Sequence, residues 1–315
     1  MVDVVIPAYR PDEDLIAIIE ALRDQTVKPT KIIIINTESK YLDSLIGKYP
    51  DVFKGSDGSS SVESVCLDIV NITKPEFDHG NTRNMGVARS EADTVVLMTQ
   101  DAVPADERFI EELIAPLKTE GVAASYARQL PKADADITEI LTREFNYPDE
   151  TIIKSIEDTD KYGIKTFFCS NVSCAYDRAV FDEMGGFIKH TIFNEDMIYA
   201  ANAMKAGYKI CYAGKARVYH SHNLNGRQQF RRNVDLGVSQ AEHPEIFANV
   251  KSESEGKKLV GVIVKELMKR GKLITVVHFG FVCFCRLLGY KIGKNYKKLP
   301  LWFVKKCSMS PGYFS

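Results

Sequence analysis

The first 130 residues alternate short apolar runs with segments whose apolar positions repeat at helical spacing. Val2–Ile6, Ile32–Ile35 and Thr94–Met98 have the length and composition of strands that are buried on both faces. Between the first two runs, Asp12–Gln25 predicts a helix with an apolar stripe formed by Leu15, Ile18, Ile19 and Leu22. Alternation of this kind predicts a parallel sheet covered by helices, with ligands bound at the carboxyl ends of the strands.

Patterns typical of helices and strands continue along the rest of the chain. Thr82–Arg89 and Asp106–Leu117 predict helices with Thr82 and Asp106 as N-caps, and Glu195–Ala206 predicts a helix that Gly207 ends. Thr166–Tyr176 and Tyr208–His222 return to the alternation of strands. The polar segment 132–163 predicts helix and loop over the sheet, and 56–61 (SDGSSS) predicts a flexible loop.

Two groups of polar residues follow these strands. Asp101 comes directly after the strand Thr94–Met98, where a carboxylate can hold Mg²⁺ or Mn²⁺ against a diphosphate, although such an Asp is more often a turn or cap residue. His220 and His222 are two residues apart, so on a strand both rings face one side and can ligate a metal. A purely structural role for the two histidines stays open.

Two further segments offer chemistry at helix starts. Glu195 and Asp196 open a helix, where one carboxylate can act as a general base and where both can simply favour the helix dipole. The segment 77–84 (FDHGNTRN) supplies a turn, a helix start and Arg83, which suit a diphosphate, or form an ordinary capped surface loop.

Charge is distributed unevenly between the two parts of the chain. The net charge is −1, yet residues 251–315 carry 14 Lys and Arg against three Glu. This segment also has a helical apolar stripe in Lys257–Lys272, and Trp302 and Phe303 beside two lysines. The pattern is typical of helices in a membrane interface, with a helical cap on the main domain as the alternative. The longest apolar run, Leu273–Cys285, is too short to span a bilayer.

The amino-acid composition excludes several classes of protein. A hydrophobic fraction of 45% and a charged fraction of 26% exclude a disordered or fibrous protein. The seven cysteines show no zinc-like spacing and indicate buried thiols in a reducing cytosol, with Met1 leading straight into a strand rather than a signal peptide. Nucleic acid is not an expected partner, because no nucleic-acid-binding module is recognisable.

Several motifs, taken in order, resemble the family 2 glycosyltransferases of the GT-A fold, and among them the bacterial dTDP-rhamnosyltransferases. They are VDVVIPAYRP at the start, FDHGNTRNMG, VVLMTQDAVPAD, FNYP at 145–148, GIKTFFCSN at 163–171, GGF and NED within 185–196, VYHSHN at 218–223, and the tail motifs LGYKIGKNYKKLP and SMSPGYF. The resemblance implies a Rossmann-like mixed sheet with helices on both faces, in a catalytic domain at 1–225. A basic amphipathic helical region would occupy 226–315.

The resemblance also implies roles for individual residues. Asp196 matches the catalytic base, with Glu195 beside it shaping the acceptor site. Asp101, with His220 and His222 as the candidate histidines, would hold Mg²⁺ or Mn²⁺. The implied nucleotide-sugar-binding residues are Pro7, Ala8, Tyr9, Arg10, Asn36, Glu38, His79, Arg83, Gln100, Asp101, Phe168, Ser170 and Asn171.

The implied reaction is an inverting transfer of L-rhamnose from dTDP-β-L-rhamnose to a saccharide acceptor, with an α-rhamnosyl product for cell-surface polysaccharide. A lipid-linked acceptor and an anionic membrane surface would be the partners, at the cytoplasmic face of the membrane. The oligomeric state stays open, with a homo-oligomer among the options. Asn36 stands where the family usually has an Asp-containing turn, which leaves a UDP-hexose donor open. Because the acidic metal motif is reduced to Asp101, a non-catalytic glycan- or membrane-binding subunit is the other alternative.

Overall fold

The computed structural model describes residues 1–54, 65–248 and 253–314, so the loop predicted at 56–61 lies outside the described residues. The strands of the described part are β1 (Val2–Tyr9), β2 (Lys31–Thr37), β3 (Cys66–Ile72), β4 (Thr94–Met98), β5 (Val103–Pro104), β6 (Val122–Leu130), β7 (Ile152–Lys154), β8 (Ser173–Asp177) and β9 (Lys209–Tyr219).

The helices of the described part fall into two groups along the chain. Those that precede or interleave with the strands are α1 (Glu13–Arg23), α2 (Ser39–Lys48), α3 (His79–Ala88), α4 (Phe109–Ile114), α5 (Ile137–Asn146), α6 (Thr159–Tyr162), α7 (Arg178–Glu183) and α8 (Glu195–Lys205). Those that follow the last strand are α9 (Gly226–Glu242), α10 (Pro244–Phe247), α11 (Glu253–Lys269), α12 (Leu273–Lys294) and α13 (Leu301–Cys307).

The strands form one mixed sheet in the order β3-β2-β1-β4-β8-β6-β9-β5, with β7 also paired to β9. β8 is antiparallel to both of its neighbours, and β5 and β7 are antiparallel to β9. The purely parallel sheet expected from strand-helix alternation is therefore wrong, whereas the mixed sheet implied by the family resemblance is confirmed. Because the other pairs are parallel, β1, β2, β4, β6 and β9 all end at one edge.

Helices cover both faces of this sheet. On one face α1 and α4 pack through Ile18, Leu22 and Phe109 onto the outward side chains of β1 and β2. On the other face α3 and α8 contribute Val87 and Tyr199 to a second core. The alternating strand side chains belong to both cores, which explains why the strand sequences are apolar at almost every position.

Several predicted boundaries are corrected by the structure. The N-cap of α3 is Asp78, whose carboxylate accepts a hydrogen bond from Asn81, rather than Thr82. The helix predicted from Asp106 begins only at Phe109. The strand predicted from Thr166 begins at Ser173, after a short helical turn. The edge strand β7 was not predicted, because three residues are too few for a periodic pattern.

The C-terminal helices pack on one another through glycine. α9 and α12 run side by side in the same direction, with Gly289 against the backbone of Phe230 and Gly293 against that of Val234. A Cβ built on either glycine would lie within 2.2 Å of a carbonyl oxygen of α9. Glycine is therefore required for this backbone approach, as in other closely packed helix pairs.

One face of α12 is apolar and exposed. Its members recur every three or four residues, and their exposed fractions run from 41% to 88%: Ile274, Val277, Phe281, Phe284 and Leu288. We call this set the apolar stripe. By length and composition α12 could cross a membrane, so the sequence-based statement that its apolar run is too short is corrected. Arg286, Tyr290 and Lys291 end the apolar run but are compatible with a helix, so α12 continues past Cys285.

Candidate active site

Asp101, His220 and His222 converge at the sheet edge where β4 and β9 end. Nε2 of His222 lies 3.1 Å from Oδ2 of Asp101, and Nε2 of His220 lies 3.5 Å from the same oxygen. One potential ligand atom from each residue lies within 4.8 Å of the others. A carboxylate oxygen and two imidazole nitrogens form a reasonable partial ligand set for a divalent metal.

The tautomer of His220 is fixed by a second residue. Nδ1 of His220 lies 3.1 Å from Oε1 of Gln129, which also accepts a hydrogen bond from Arg143. Because Oε1 can only accept, His220 donates through Nδ1 and its Nε2 lone pair points to Asp101. Such support behind a histidine is typical of metal ligands.

Electrostatics favour the ligand forms of these side chains. Burial opposes ionisation of Asp101, but its hydrogen bond with His222 and the proximity of His220 hold its pKa well below the usual range. Burial lowers the pKa of His220 to about 3, so its ring is neutral at physiological pH. A charged carboxylate beside a neutral imidazole is the combination that binds a metal ion.

Glu195 and Asp196 form the first turn of α8, with Asn171 opposite them. The backbone amide of Asn171 donates to Oδ2 of Asp196 at 3.0 Å, and its side-chain amide donates to Oε1 of Glu195 at 3.2 Å. Nη1 of Arg83 also lies 3.2 Å from Oε1 of Glu195. Glu195 is buried in these contacts, whereas Asp196 is only partly buried.

The two adjacent carboxyl groups titrate differently. Burial, followed by the negative charge of Glu195, raises the pKa of Asp196 to about 7. Burial would also raise the pKa of Glu195, but the charges of Arg83 and His79 outweigh it and lower that pKa. At neutral pH Glu195 is therefore an anion with a fixed partner, while Asp196 can accept and release a proton.

The HGNTRN segment supports this carboxylate pair. Asn84 exchanges two hydrogen bonds with the backbone of Phe187, and Asp78 accepts one from Thr191. Together with the Arg83–Glu195 pair, these contacts fix the chain just before and at the start of α8. Arg83, predicted to approach a diphosphate, thus lies in a buried ion pair, and that predicted contact stays a prediction.

The residues predicted at the end of β1 lie beside the turn that carries Asp101. Gln100 accepts a hydrogen bond from the amide of Tyr9 and donates one to its carbonyl, with distances of 2.7 and 3.0 Å. Arg10 has a left-handed backbone, and its guanidinium lies over the exposed ring of Tyr9 and the half-buried ring of Tyr41. Pro7 and Ala8 precede them in β1.

The residues predicted to read the base differ in accessibility. Asn36 is fully buried, and its amide donates to Asn71 at 2.7 Å. Glu38 follows at the strand end with a φ of 69°, and its carboxylate accepts from the amide of Lys74. Of the two, only Glu38 presents a side chain outside the sheet.

A chain of hydrogen bonds joins the metal-ligand cluster to the carboxylate pair. Gln129 binds His220 through Oε1 and Ser170 through Nε2, and Ser170 precedes Asn171, which contacts Asp196. The amide of Thr99 also donates to the carbonyl of Val172. Phe168 packs nearby on Tyr126 and Tyr147. The predicted residues from five separate segments therefore share one edge.

Sequence reasoning missed three residues of this region, which are Gln129, Arg143 and Arg232. Gln129 could have been found, because it lies at the carboxyl end of β6, a position that was assigned no role. Arg143 and Arg232 lie on helices whose placement depends on contacts distant in sequence. The guanidinium of Arg232 lies over the ring of Phe193, 5.1 Å from its centroid, and Phe193 directly precedes the start of α8.

Comparison with known proteins identifies the family of the chain. The family model described as glycosyl transferase family 2 matches residues 3–185. The chain is 36% identical to the O-antigen chain rhamnosyltransferase RfbN of Salmonella typhimurium, over all of this chain and 96% of that protein. It is 38% identical to the O-antigen chain rhamnosyltransferase WbaN of Salmonella anatum, over 94% of this chain and 89% of that protein.

A solved structure shows the same fold at low identity. The mannosyltransferase PcManGT from Pyrobaculum calidifontis, in complex with GDP-Man and Mn²⁺, superposes with a TM-score of 0.60 and 11% identity, covering 94% of this chain and 87% of that one. The predicted GT-A fold is thereby confirmed. The fold is shared, the family model matches more than half of the chain, and the relatives align along nearly its whole length. The chain therefore belongs to glycosyl transferase family 2.

Proposed function

We propose that this protein is an inverting rhamnosyltransferase that moves L-rhamnose from dTDP-β-L-rhamnose to a saccharide acceptor in surface polysaccharide synthesis. The two full-length relatives, both named O-antigen chain rhamnosyltransferases, support the sugar and the pathway class. The observation that carries the reaction type is the partly exposed Asp196, whose pKa lies near neutrality. The neighbouring Glu195 is held ionised and inaccessible.

Asp196 is the proposed general base. A carboxylate with a pKa of about 7 accepts a proton efficiently at neutral pH. As Asp196 removes the proton from an acceptor hydroxyl, that oxygen attacks the anomeric carbon opposite the leaving diphosphate. A single displacement of this kind inverts the configuration and gives the α-rhamnosyl product.

Glu195 and Arg83 act on the base indirectly. The buried negative charge of Glu195 raises the pKa of Asp196, and Arg83 keeps that charge in place. Asn171 fixes the orientation of both carboxylates through its two amides. We regard Glu195, Arg83 and Asn171 as positioning residues.

Asp101, His220 and His222 are the proposed ligands of a divalent cation. Their mixed oxygen and nitrogen donors favour Mn²⁺ over Mg²⁺, because Mg²⁺ prefers an all-oxygen shell. When bound, the cation would neutralise charge on the leaving diphosphate. Gln129 would keep His220 in the ligating tautomer.

The donor nucleotide is assigned to the ends of β1 and β2, next to these ligands. Tyr9 and Arg10 offer an exposed aromatic and cationic surface there, and Glu38 offers a carboxylate for the ribose or base. Pro7, Ala8, Asn36 and Gln100 shape the pocket from behind. His79, Phe168 and Ser170 are assigned to the sugar and acceptor side.

Peripheral association with the cytoplasmic face of a membrane is the proposed location. The apolar stripe of α12 lies on the same C-terminal region as Trp302, which is 68% exposed. Lys305 and Lys306 follow Trp302 by one turn of α13 and suit anionic lipid headgroups. An interfacial position fits better than a spanning one, because the opposite face of α12 packs along the polar helix α9.

A donor panel tests the function. Purified protein is incubated with Mn²⁺, a rhamnose-containing lipid-linked acceptor and one nucleotide sugar at a time, and nucleoside diphosphate release and product are measured. The proposal expects product with dTDP-β-L-rhamnose and an α linkage by NMR. A faster reaction with a UDP-hexose would replace the donor assignment. Absence of transfer with every donor would favour a binding subunit instead.

A further inference from the structure

Lys154, the last residue of the edge strand β7, is buried beneath the segment that leads into Asn171. β7 pairs antiparallel with β9, and Lys154 is only 4% exposed. Its amine lies 2.8 Å from the carbonyl oxygen of Lys165, 2.8 Å from that of Phe168 and 3.2 Å from the hydroxyl of Tyr126. One side chain thus joins β7, β6 and the turn before β8.

These three oxygens match the hydrogen-bonding capacity of the amine. Burial lowers the pKa of Lys154 to about 7 and raises the pKa of Tyr126 well above its usual range. As a neutral amine, Lys154 donates to both carbonyls and accepts from the phenol, and as a cation it donates to all three oxygens. Because a buried amine costs free energy unless its hydrogen bonds are made, both forms hold the two carbonyls in place.

The held carbonyls lie close along the chain to the hydrogen-bond donor of the candidate base. Asn171 follows Phe168 by three residues, and its amide donates to Oδ2 of Asp196 at 3.0 Å. β8 begins two residues after Asn171 and fixes that side of the segment. Lys154 fixes the other side, so a displacement of Phe168 would be transmitted to the amide of Asn171 through a short stretch of chain.

We infer that Lys154 is a positioning residue for the transfer: by holding the carbonyls of Lys165 and Phe168, it sets the amide of Asn171 against Asp196. This rests on the proposed function, since it concerns the same candidate base. The buried amine acts on the reaction only through the segment 165–171. Its removal takes a donor away from two carbonyls in the protein interior, and the segment must move to regain hydrogen bonds.

The backbone amide of Asn171 reports this positioning without any need for turnover. In protein labelled with ¹⁵N-asparagine, the NMR shift of that amide should titrate with the carboxylate it contacts. The part of the titration that disappears in Asp196→Asn belongs to Asp196. Lys154→Met keeps a long side chain without donors and should weaken the contact. Because the contact stabilises the carboxylate anion, the midpoint should move to higher pH by about one pH unit.

Transfer kinetics should change in the same direction. We expect kcat of Lys154→Met to fall by about 10- to 100-fold, with the midpoint of kcat/KM at higher pH and the KM for the donor unchanged. The matched control is Lys31→Met, because the amine of Lys31 also donates to a carbonyl, that of Arg89, but at the opposite edge of the sheet. It should behave like the wild type.

A second variant keeps the inference testable if Lys154→Met does not fold. Lys154→Gln retains two N–H donors on a shorter side chain, so it should show smaller changes of the same sign in the Asn171 titration and in kcat. Loss of thermal stability in a folded variant, with both pH midpoints as in the wild type, would overturn the inference and leave Lys154 a purely structural role. A rise in the KM for the donor with kcat unchanged would also overturn it.

Failure of the proposed function gives a different result. If the wild type transfers no sugar from any donor while Lys154→Met still shifts the Asn171 titration, rhamnose transfer is rejected and the positioning of Asp196 by Lys154 is upheld.

Discussion

The backbone amide of Asn171 donates a hydrogen bond to Oδ2 of Asp196 across 3.0 Å. Because the donor is main chain, its position depends on the turn before β8 rather than on a side-chain rotamer. The remaining hydrogen bond to this carboxylate comes from the amide of Met197 and holds Oδ1. Both oxygens are thereby oriented before any substrate arrives, which lowers the reorganisation required for proton transfer.

Replacing the candidate base should abolish turnover without loss of donor binding. We expect Asp196→Asn to lower kcat by about 10²- to 10⁴-fold, the usual contribution of a positioned general base. Equilibrium dialysis with labelled dTDP should show donor-side affinity unchanged. Asp43→Asn, an exposed carboxylate on α2, is the matched control. Turnover of Asp196→Asn at the wild-type rate would remove Asp196 from this role.

The pH dependence of the reaction should report the raised pKa of Asp196. A base acts in its deprotonated form, so kcat/KM is expected to rise with pH and to level off above about 7. Glu195→Gln removes the neighbouring negative charge and leaves Arg83 unpaired, and both effects stabilise the Asp196 anion. The midpoint of the profile should therefore move to lower pH. A shift to higher pH would contradict the proposed coupling.

Metal affinity should depend on Gln129 as well as on the three ligands. Loss of a ligand in Asp101→Asn or His222→Ala should nearly abolish Mn²⁺ binding measured by isothermal titration. Gln129→Leu releases Nδ1 of His220 and should weaken binding by about 10- to 100-fold. His243→Ala, on a histidine that pairs with Glu245 elsewhere, serves as control. Unchanged affinity in Asp101→Asn would reject the site.

The apolar stripe should govern association with bilayers. Phe281→Ser and Phe284→Ser remove two side chains that are about 60% exposed in the protein. Each aromatic ring buried in lipid contributes about 1.5 to 3 kcal/mol, so the double variant should lose most vesicle binding in a sedimentation assay. Ile156→Ser, which removes an exposed apolar side chain outside α12, should sediment like the wild type. Equal sedimentation of all three proteins would argue against the stripe.

The close packing of α12 on α9 through Gly289 and Gly293 should not tolerate a single added methyl group. In Gly293→Ala the new Cβ would lie about 2.1 Å from the carbonyl oxygen of Val234, so the helices must separate. We expect a loss of about 1 to 3 kcal/mol in the free energy of unfolding, read by chemical denaturation. Gly280→Ala on the same helix meets nothing within 4 Å and should be neutral or slightly stabilising.

The local sequence pattern predicted correctly those strands and helices whose ends are determined by a few neighbouring residues. β4 begins and ends where its apolar run does, and α8 ends at Lys205, two residues before Gly207, whose φ is 96°. The start of α3 was misplaced, because His79 and Gly80 are poor helix formers and the cap is made by Asp78. The antiparallel insertion of β8 between β4 and β6 depends on pairings between distant segments, which periodicity does not report.

The residues of the candidate site also divide into those that the local sequence pattern indicates and those that it does not. Asp101, Glu195, Asp196 and the two histidines were identified because each stands next to a recognisable strand end or helix start. Asn171 was assigned to the sugar, but its contact with both carboxylates required the structure. Arg143 and Arg232 carried no local signal, since a basic residue on a polar helix is ordinary.

The close packing of α12 on α9 has a mechanical consequence. α9 reaches the candidate site through Ser239, which binds Asn194 at the start of α8, and it reaches α12 through backbone contacts that permit little sliding. For a protein held to a bilayer by α12, the height of Asp196 above the lipid surface would therefore be nearly constant. Such an enzyme would select its acceptors by length. A glycan whose end lies at the height of Asp196 would be extended, whereas the end of a shorter or longer glycan on the same lipid would lie below or above Asp196.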